Sequence, residues 1–214
     1  MKTAVILCDG DFPRKAYPRY LLDTADIVVC CDNAFRKYLR HTRGERLPDA
    51  IVGDLDSLLP SLRKQYADRI VRIEEQDDND MTKALRHVLT RFPEADTIHF
   101  LGATGLREDH TVGNMSLLME YPRLFDLGDR SLDIVSDFGT MFAVTDTCEL
   151  HVGQGRRVSL FSPDNSLRLR SEGLVWPTDD VVFDNWLKAT LNRASEDVIR
   201  LVFSHPSRVL VCLD

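Results

Sequence analysis

From residue 4 to residue 135 the chain alternates short, unbroken apolar runs with amphipathic stretches. No other feature constrains its fold as strongly. The runs cover residues 4–8, 27–31, 50–52, 70–73, 97–101 and 132–135. They are mostly unbroken in hydrophobicity, unlike a strand with one wet face, so they suit a parallel sheet covered on both sides. Helix signals lie between them. The clearest is 80–91, where Met81, Ala84, Leu85, Val88 and Leu89 recur at helical spacing, with Asp78 or Asn79 available as the cap. A second helix is expected over 110–120, with Val112, Met115, Leu118 and Met119 turned inward. Strands alternating with helices predict an open α/β sheet.

The pattern changes after Phe138. Short β-like runs follow at 141–144, 149–152, 157–161, 167–169, 174–176, 198–203 and 208–212, separated by turn signals such as Ser162-Pro163-Asp164-Asn165. The expected fold class is therefore an N-terminal open, mostly parallel sheet flanked by helices (residues 1–138) plus a C-terminal all-β sandwich (residues 139–214). A helical turn is possible near 184–191. Gly153-Gln154-Gly155-Arg156-Arg157 resembles a phosphate loop locally but has no following helix, and is read as a hairpin.

Charge excludes some functions. The 214 residues carry 34 acids against 27 bases, a net charge of −7. A general nucleic-acid binder or an anionic-membrane binder needs a basic surface, so neither is expected. Residues 49–80 hold nine acids and four bases, an excess of five. No run approaches the ~20 apolar residues of a membrane span, and the first apolar run is too short for a signal peptide. Five cysteines without C-x-x-C spacing read as reduced thiols in a cytoplasmic protein.

Three segments carry the chemistry. Pro48–Ser57 is a strand running into a turn at Gly53. Asp54 and Asp56 leave the strand end two residues apart, on one side if the chain stays extended. Such a pair either binds a hard cation, Mg²⁺ above all, or serves as turn and cap residues. Asp77-Asp78-Asn79-Asp80 opens the amphipathic helix; one or two acids there suit the helix dipole. Three acids at the sheet edge of Asp54 and Asp56 point to a metal–polyphosphate site. Leu101–His110 links a strand to a helix, with Gly102 and Gly105 for close backbone approach and Arg107 for bidentate anion contact. The alternative for this last segment is an ordinary tight turn.

Taken in order, these segments resemble the thiamine pyrophosphokinase family. The family's P-D-x-I-x-G-D-x-D-S matches Pro48 to Ser57 at every specified position. Its D-x-T-D is met by Asp77-Asp78-Asn79-Asp80, with Asn79 for Thr. Its G-x-x-G-G-R-x-D-H is met from Gly102 to His110, with Leu106 for the second Gly. Its V-S-L-F-P resembles Val158–Phe161, with Ser162 inserted before Pro163, and its G-L-x-W-P matches Gly173–Pro177.

The resemblance implies transfer of the pyrophosphoryl group of ATP to the hydroxyl of thiamine, with Mg²⁺ held by Asp54, Asp56 and Asp80. Arg107 would stabilise charge on the phosphoryl groups. Asp32, Asp77, Thr104, Gly105, Asp109 and His110 would serve ATP; Trp176 and Asn192 would serve thiamine. The family resemblance also implies a homodimer whose active site is shared between subunits. Two further departures are Asn33, where the family has Gly after Asp32, and Leu191, where it has Ser before Asn192. Asn33 is expected to take the positive φ of its turn.

Two rivals compete. Asp9-Gly10-Asp11 after a strand resembles the nucleophile motif of haloacid-dehalogenase phosphohydrolases, but Pro13 replaces the Thr or Val of that motif. A non-catalytic thiamine or nucleotide binder is the other.

Overall fold

A computed structural model describes residues 1–214 and divides into two compact units. The first comprises Met1–Asn114 and Leu127–Asp137; the second comprises Met115–Asp126 and Phe138–Asp214.

The first unit runs β1 (Lys2–Leu7), α1 (Ala16–Thr24), β2 (Ile27–Cys31), α2 (Ala34–Thr42), β3 (Ala50–Gly53), α3 (Pro60–Gln65), β4 (Ile70–Arg72), α4 (Asp80–Arg91), β5 (Ala95–Leu101), the start of α5 (Glu108–Leu124) and β6 (Ser131–Ser136). Its strands stand in the order β6-β5-β1-β2-β3-β4, with parallel pairing throughout. The unbroken apolar runs have the reason expected. Val5, Leu7, Val28, Cys30 and Ile51 pack with Leu21 and Leu22 of α1 and Phe35 and Tyr38 of α2. The alternate residues Ala4, Ile6, Val29, Cys31 and Val52 are buried as well. They point to the opposite face, and α4 packs across β1, β2, β3 and β5. Met81, Leu85 and Val88 are its buried anchors, each contributing roughly 1.5–3 kcal/mol.

The second unit holds β7 (Gly139–Val144), β8 (Cys148–His151), β9 (Arg157–Phe161), β10 (Leu169–Glu172), β11 (Asn192–Arg193), β12 (Val198–Phe203) and β13 (Val209–Leu213). One antiparallel layer runs β11-β9-β13-β7 and the other β10-β12-β8. Val158, Leu160, Leu169, Ile199, Leu201, Val209 and Val211 share the core of this unit. Both parts of the expected fold class are therefore present.

Local readings differ at four places. Val112 is exposed rather than inward. Residues 174–176 form only a bridge, Leu174 to Ala194. Residues 184–191 make turns, not a helix. The turn at Gly153–Arg157 is not a hairpin: β8 pairs with β12, whereas β9 pairs with β13 and β11, so the turn carries the chain from one layer to the other. Period-2 apolar patterning identifies a strand but not its partner, which is why these β connections were the least legible.

All five cysteines are free, with Cys8, Cys30 and Cys31 buried. No helix is long and apolar enough to cross a membrane.

Candidate active site

In open α/β sheets ligands lie beyond the carboxyl ends of the strands, where strand order reverses. Here the chain steps outward from β1 to β2, β3 and β4, then returns to β5 on the other side of β1. The loops after β1 to β5 carry every acid and glycine singled out in the first unit's sequence.

Asp32 follows β2 directly, with its amide bonded to the Val52 carbonyl (2.9 Å). Its backbone is left-handed, with φ 39°. The expected positive φ at Asn33 is not found, since Asn33 is in the right-handed region at φ −69°; the turn is made one residue earlier. Asp54 and Asp56 also reach the site differently from the extended arrangement expected. Leu55 between them takes φ 64°, so a turn rather than strand alternation brings the two acids together. Leu55 is buried in the core, and that burial helps offset the strain of a left-handed leucine. The Asp56 amide donates to Asp54 Oδ1 (3.2 Å), and Gln76 Nε2 donates to Asp54 Oδ2 (3.2 Å).

The result is a convergence. One carboxylate oxygen each of Asp32, Asp54 and Asp56 lies within 4.8 Å of the others. Asp80, first residue of α4, adjoins this group: a β-carbon at Gly53 would sit 3.1 Å from Asp80 Oδ1 and 3.2 Å from Asp32 Cβ. Burial, chiefly, pushes the Asp80 carboxyl up to about 6, with the Asp32 charge adding to the rise. Asp32 is also raised, first by burial and then by Asp56 and Asp54, against the Ser57 hydroxyl that donates to its Oδ2 (2.5 Å). Its other oxygen, Oδ1, is buried with no partner. The Gln76 bond, foremost, holds Asp54 below its ordinary value.

A divalent metal fits this donor set. The ligands are all carboxylate oxygens, which select hard cations such as Mg²⁺, and the orphaned Asp32 Oδ1 has an acceptor position to fill. That Asp32 joins Asp54 and Asp56 was not read from the sequence; the family resemblance placed it on the ATP side. Its signal was weak: a lone Asp at a strand end.

The other acids are placed differently. Asp78 pairs with Arg86 (2.5 Å). Asp77 is exposed and its amide donates to Glu75 Oε2 (2.9 Å). Asp9 is held by Lys37, whose Nζ reaches Asp9 Oδ1 (2.8 Å) and donates to the Asp9 and Gly10 carbonyls (2.7 Å each). Asp9 is not among the three acids that converge.

The Gly102–Arg107 loop is tied to the rest of the unit from two sides. The Gly10 amide donates to Gly102 O (2.7 Å) and the Asp11 amide to Thr104 O (2.9 Å). A β-carbon at Gly10 would lie 2.3 Å from that Gly102 oxygen, so glycine is required. On the other side, Asn79 caps α4 by accepting from the Thr82 amide (3.0 Å) and donates to Asn114 Oδ1 (2.8 Å); Asn114 in turn donates to Ala103 O (2.7 Å). Asn79, a departure from the family's Thr, thus supplies both the cap and a tie between two motifs. Arg107 and Asp109 are exposed and bound to each other (3.1 and 2.5 Å). That pairing holds Asp109 down at about 2. His110 is exposed, and its amide donates to Asp109 Oδ1 (2.9 Å). Gly105 donates to the Thr111 hydroxyl (3.1 Å).

Leu106 is 69% exposed with φ 66°. A left-handed backbone costs a residue with a β-carbon roughly 1–2 kcal/mol, against about 0.5–1 for the extra chain entropy of glycine. Leu106→Gly is therefore expected to stabilise the protein by about 0.5 kcal/mol, read as a higher urea midpoint. A lower midpoint would show that the leucine side chain supports the loop.

In the second unit, Trp176 is 59% exposed and lines a cavity of about 290 Å³ with Pro177, Val181, Lys188, Leu191 and Asn192, among others. Asn192 is buried, but its amide group is spent on the tryptophan backbone. Its Nδ2 donates to Trp176 O (2.7 Å), and its Oδ1 accepts from the Trp176 amide (3.2 Å). Leu191 is 78% exposed at φ 59°, with its amide donating to the Ser159 hydroxyl (3.1 Å).

One residue escaped the sequence reading altogether. Lys83, one turn after Asp80 on α4, is only 2% exposed. Its charge acts on both Asp54 and Asp80, lowering each. The signal was available as Asp80 and Lys83 at i, i+3, the spacing that places two side chains on one helix face.

An open α/β sheet with strand-end acids converging at its carboxyl edge is a setting suited to metal-assisted phosphoryl chemistry, and the class, a phosphotransferase, comes with the family match. Comparison with known proteins gives the particular group. Residues 18–126 match the family described as thiamin pyrophosphokinase, catalytic domain, and residues 139–210 match thiamin pyrophosphokinase, substrate-binding domain. Thiamine pyrophosphokinase 1 of Oryza sativa subsp. japonica is 24% identical over 92% of this chain and 82% of its own. The fold is shared with the crystal structures of thiamine pyrophosphokinase from Bacillus subtilis (TM-score 0.77, 18% identity, 100% and 99% of the two chains covered) and of the yeast enzyme (TM-score 0.76, 17% identity, 100% and 86%). The chain belongs to the thiamin pyrophosphokinase family, and thiamine diphosphokinase activity follows from that membership.

Proposed function

We propose that this chain binds ATP and thiamine as a Mg²⁺-dependent enzyme and makes thiamine pyrophosphate and AMP. The thiamine hydroxyl oxygen forms a bond to the β-phosphorus of ATP. The bond from that phosphorus to the α–β bridging oxygen breaks, its electron pair leaves on AMP, and the hydroxyl proton passes to water.

The observation that carries this reading is the convergence of Asp32, Asp54 and Asp56 beside Asp80, with one carboxylate oxygen left buried and unpartnered. Four acids alone would repel a triphosphate; bound Mg²⁺ would supply the charge that joins the two and polarise the transferring phosphoryl group. Asp32, Asp54, Asp56 and Asp80 are the residues to hold it. Arg107, freed from Asp109, would meet phosphate oxygens, with Thr104 and Gly105 offering backbone around them and Asp77 and His110 flanking the nucleotide. Trp176 would stack on the pyrimidine of thiamine, with Asn192 fixing its backbone. By this reading residues 1–138 serve ATP and metal, and residues 139–214 serve thiamine.

The family resemblance supports a homodimer with a shared active site, and the exposure of Val175, Trp176 and Leu191 suits a covered surface. Five free cysteines suit the cytoplasm.

The test is chromatography of the purified chain incubated with thiamine, ATP and MgCl₂. Thiamine pyrophosphate and AMP are expected in equal amounts, with formation stopped by EDTA. Phosphate release without AMP would instead make the chain a hydrolase. Tight thiamine binding without turnover would make it a binding protein.

A further inference from the structure

Lys83 is costly where it stands. The residue is 2% exposed, and a buried lysine is tolerated only when its charge is compensated. It lies in the second turn of α4, near the helix end that favours anions over cations. No hydrogen bond or ion pair to a protein side chain is formed by its ammonium, although its charge is felt at Asp54 and Asp80. The stem is packed, the charge lies close to the acid cluster, and three N–H donors have no acceptor of the protein's own. A merely structural lysine would close an ion pair with one of these carboxylates. Lys83 does not, so its donors are available to an anion brought to the cluster.

We propose that Lys83 is a catalytic residue whose ammonium donates to a non-bridging oxygen of the diphosphoryl group transferred from ATP. The inference rests on the reaction proposed above. The ammonium acts as a hydrogen-bond donor and transfers no proton in the step. It neutralises part of the charge on the phosphoryl oxygens as the bond to AMP breaks, and it offsets the acids for as long as the nucleotide is away. With its residue almost wholly enclosed, its charge is held beside the acids, whereas Arg107 is exposed.

Lys83→Met tests the proposal because it keeps the volume of the side chain and removes only the charge. Removing the charge that offsets the neighbouring acids is expected to lower the thermal midpoint of the metal-free protein, and added MgCl₂ is expected to recover it. Turnover is expected to fall about 100-fold or more, the scale for one lost charge-stabilising donor. Affinity for α,β-methylene-ATP with Mg²⁺, measured by titration calorimetry, is expected to weaken about tenfold, with the thiamine KM unchanged. Lys83→Gln gives the same measurements should the methionine variant not fold.

A folded variant with turnover within about fivefold of wild type would overturn the proposal. So would a lowered midpoint that MgCl₂ does not recover, with unchanged analogue affinity, or failure of both variants to fold, since each assigns Lys83 to the support of the helix. Failure of the wild-type chain itself to make thiamine pyrophosphate would refute the proposed reaction instead, and is seen before any variant is made.

Discussion

Asp54→Asn and Asp80→Asn are each expected to cut turnover by at least about 100-fold, the low end for losing one preorganised charge at a transferring phosphoryl group. The two variants should differ in a second measurement. Asp80 is held up to about 6, mainly by burial and then by Asp32, so its charge is unfavourable in the metal-free protein. Making it neutral should leave the thermal midpoint unchanged or raise it. Asp54 is held below its ordinary value by Gln76 and the Asp56 amide; its charge is favourable, and Asp54→Asn should lower the midpoint. Steady-state kinetics together with calorimetric melting separate the two effects. A near-wild-type rate in either variant would remove that residue from the metal-binding group.

Trp176→Ala is expected to raise the thiamine KM roughly tenfold or more, since stacking of an aromatic side chain on a heterocycle contributes about 1–3 kcal/mol. The ATP KM should stay within twofold. The side chain lines a cavity and its backbone is fixed on both sides by Asn192. Truncation therefore removes contact surface without loosening the loop. An effect on the ATP KM alone would end the stacking assignment.

The family resemblance implies that Asn192 serves thiamine; in the structure its amide group holds the backbone of Trp176, the other residue so assigned. Asn79, a departure from the family's Thr, both caps α4 and reaches Asn114.

The sequence by itself determined the two-part architecture. Unbroken apolar runs mean a sheet covered on both faces, short β-like runs between turn signals mean a sandwich, and both are local consequences of period and burial. It also singled out the loops in which acids and glycines gather, because Gly, Asp and Arg at strand ends have few other uses in such numbers. The nine acids of residues 49–80 are one such signal.

Tertiary structure decided which of those acids meet. Asp78 turns to Arg86 and Asp77 to solvent, while Asp32, from a strand end outside that stretch, joins Asp54 and Asp56. Strand register decides this: parallel pairing of β2 with β3 brings Cys31 opposite Val52, and the residues just beyond each strand arrive together. Lys83 was hidden for the same reason. Its spacing from Asp80 was visible, but its burial depends on β1, β2, β3 and β5 lying under α4, elements whose neighbourhood no local pattern encodes.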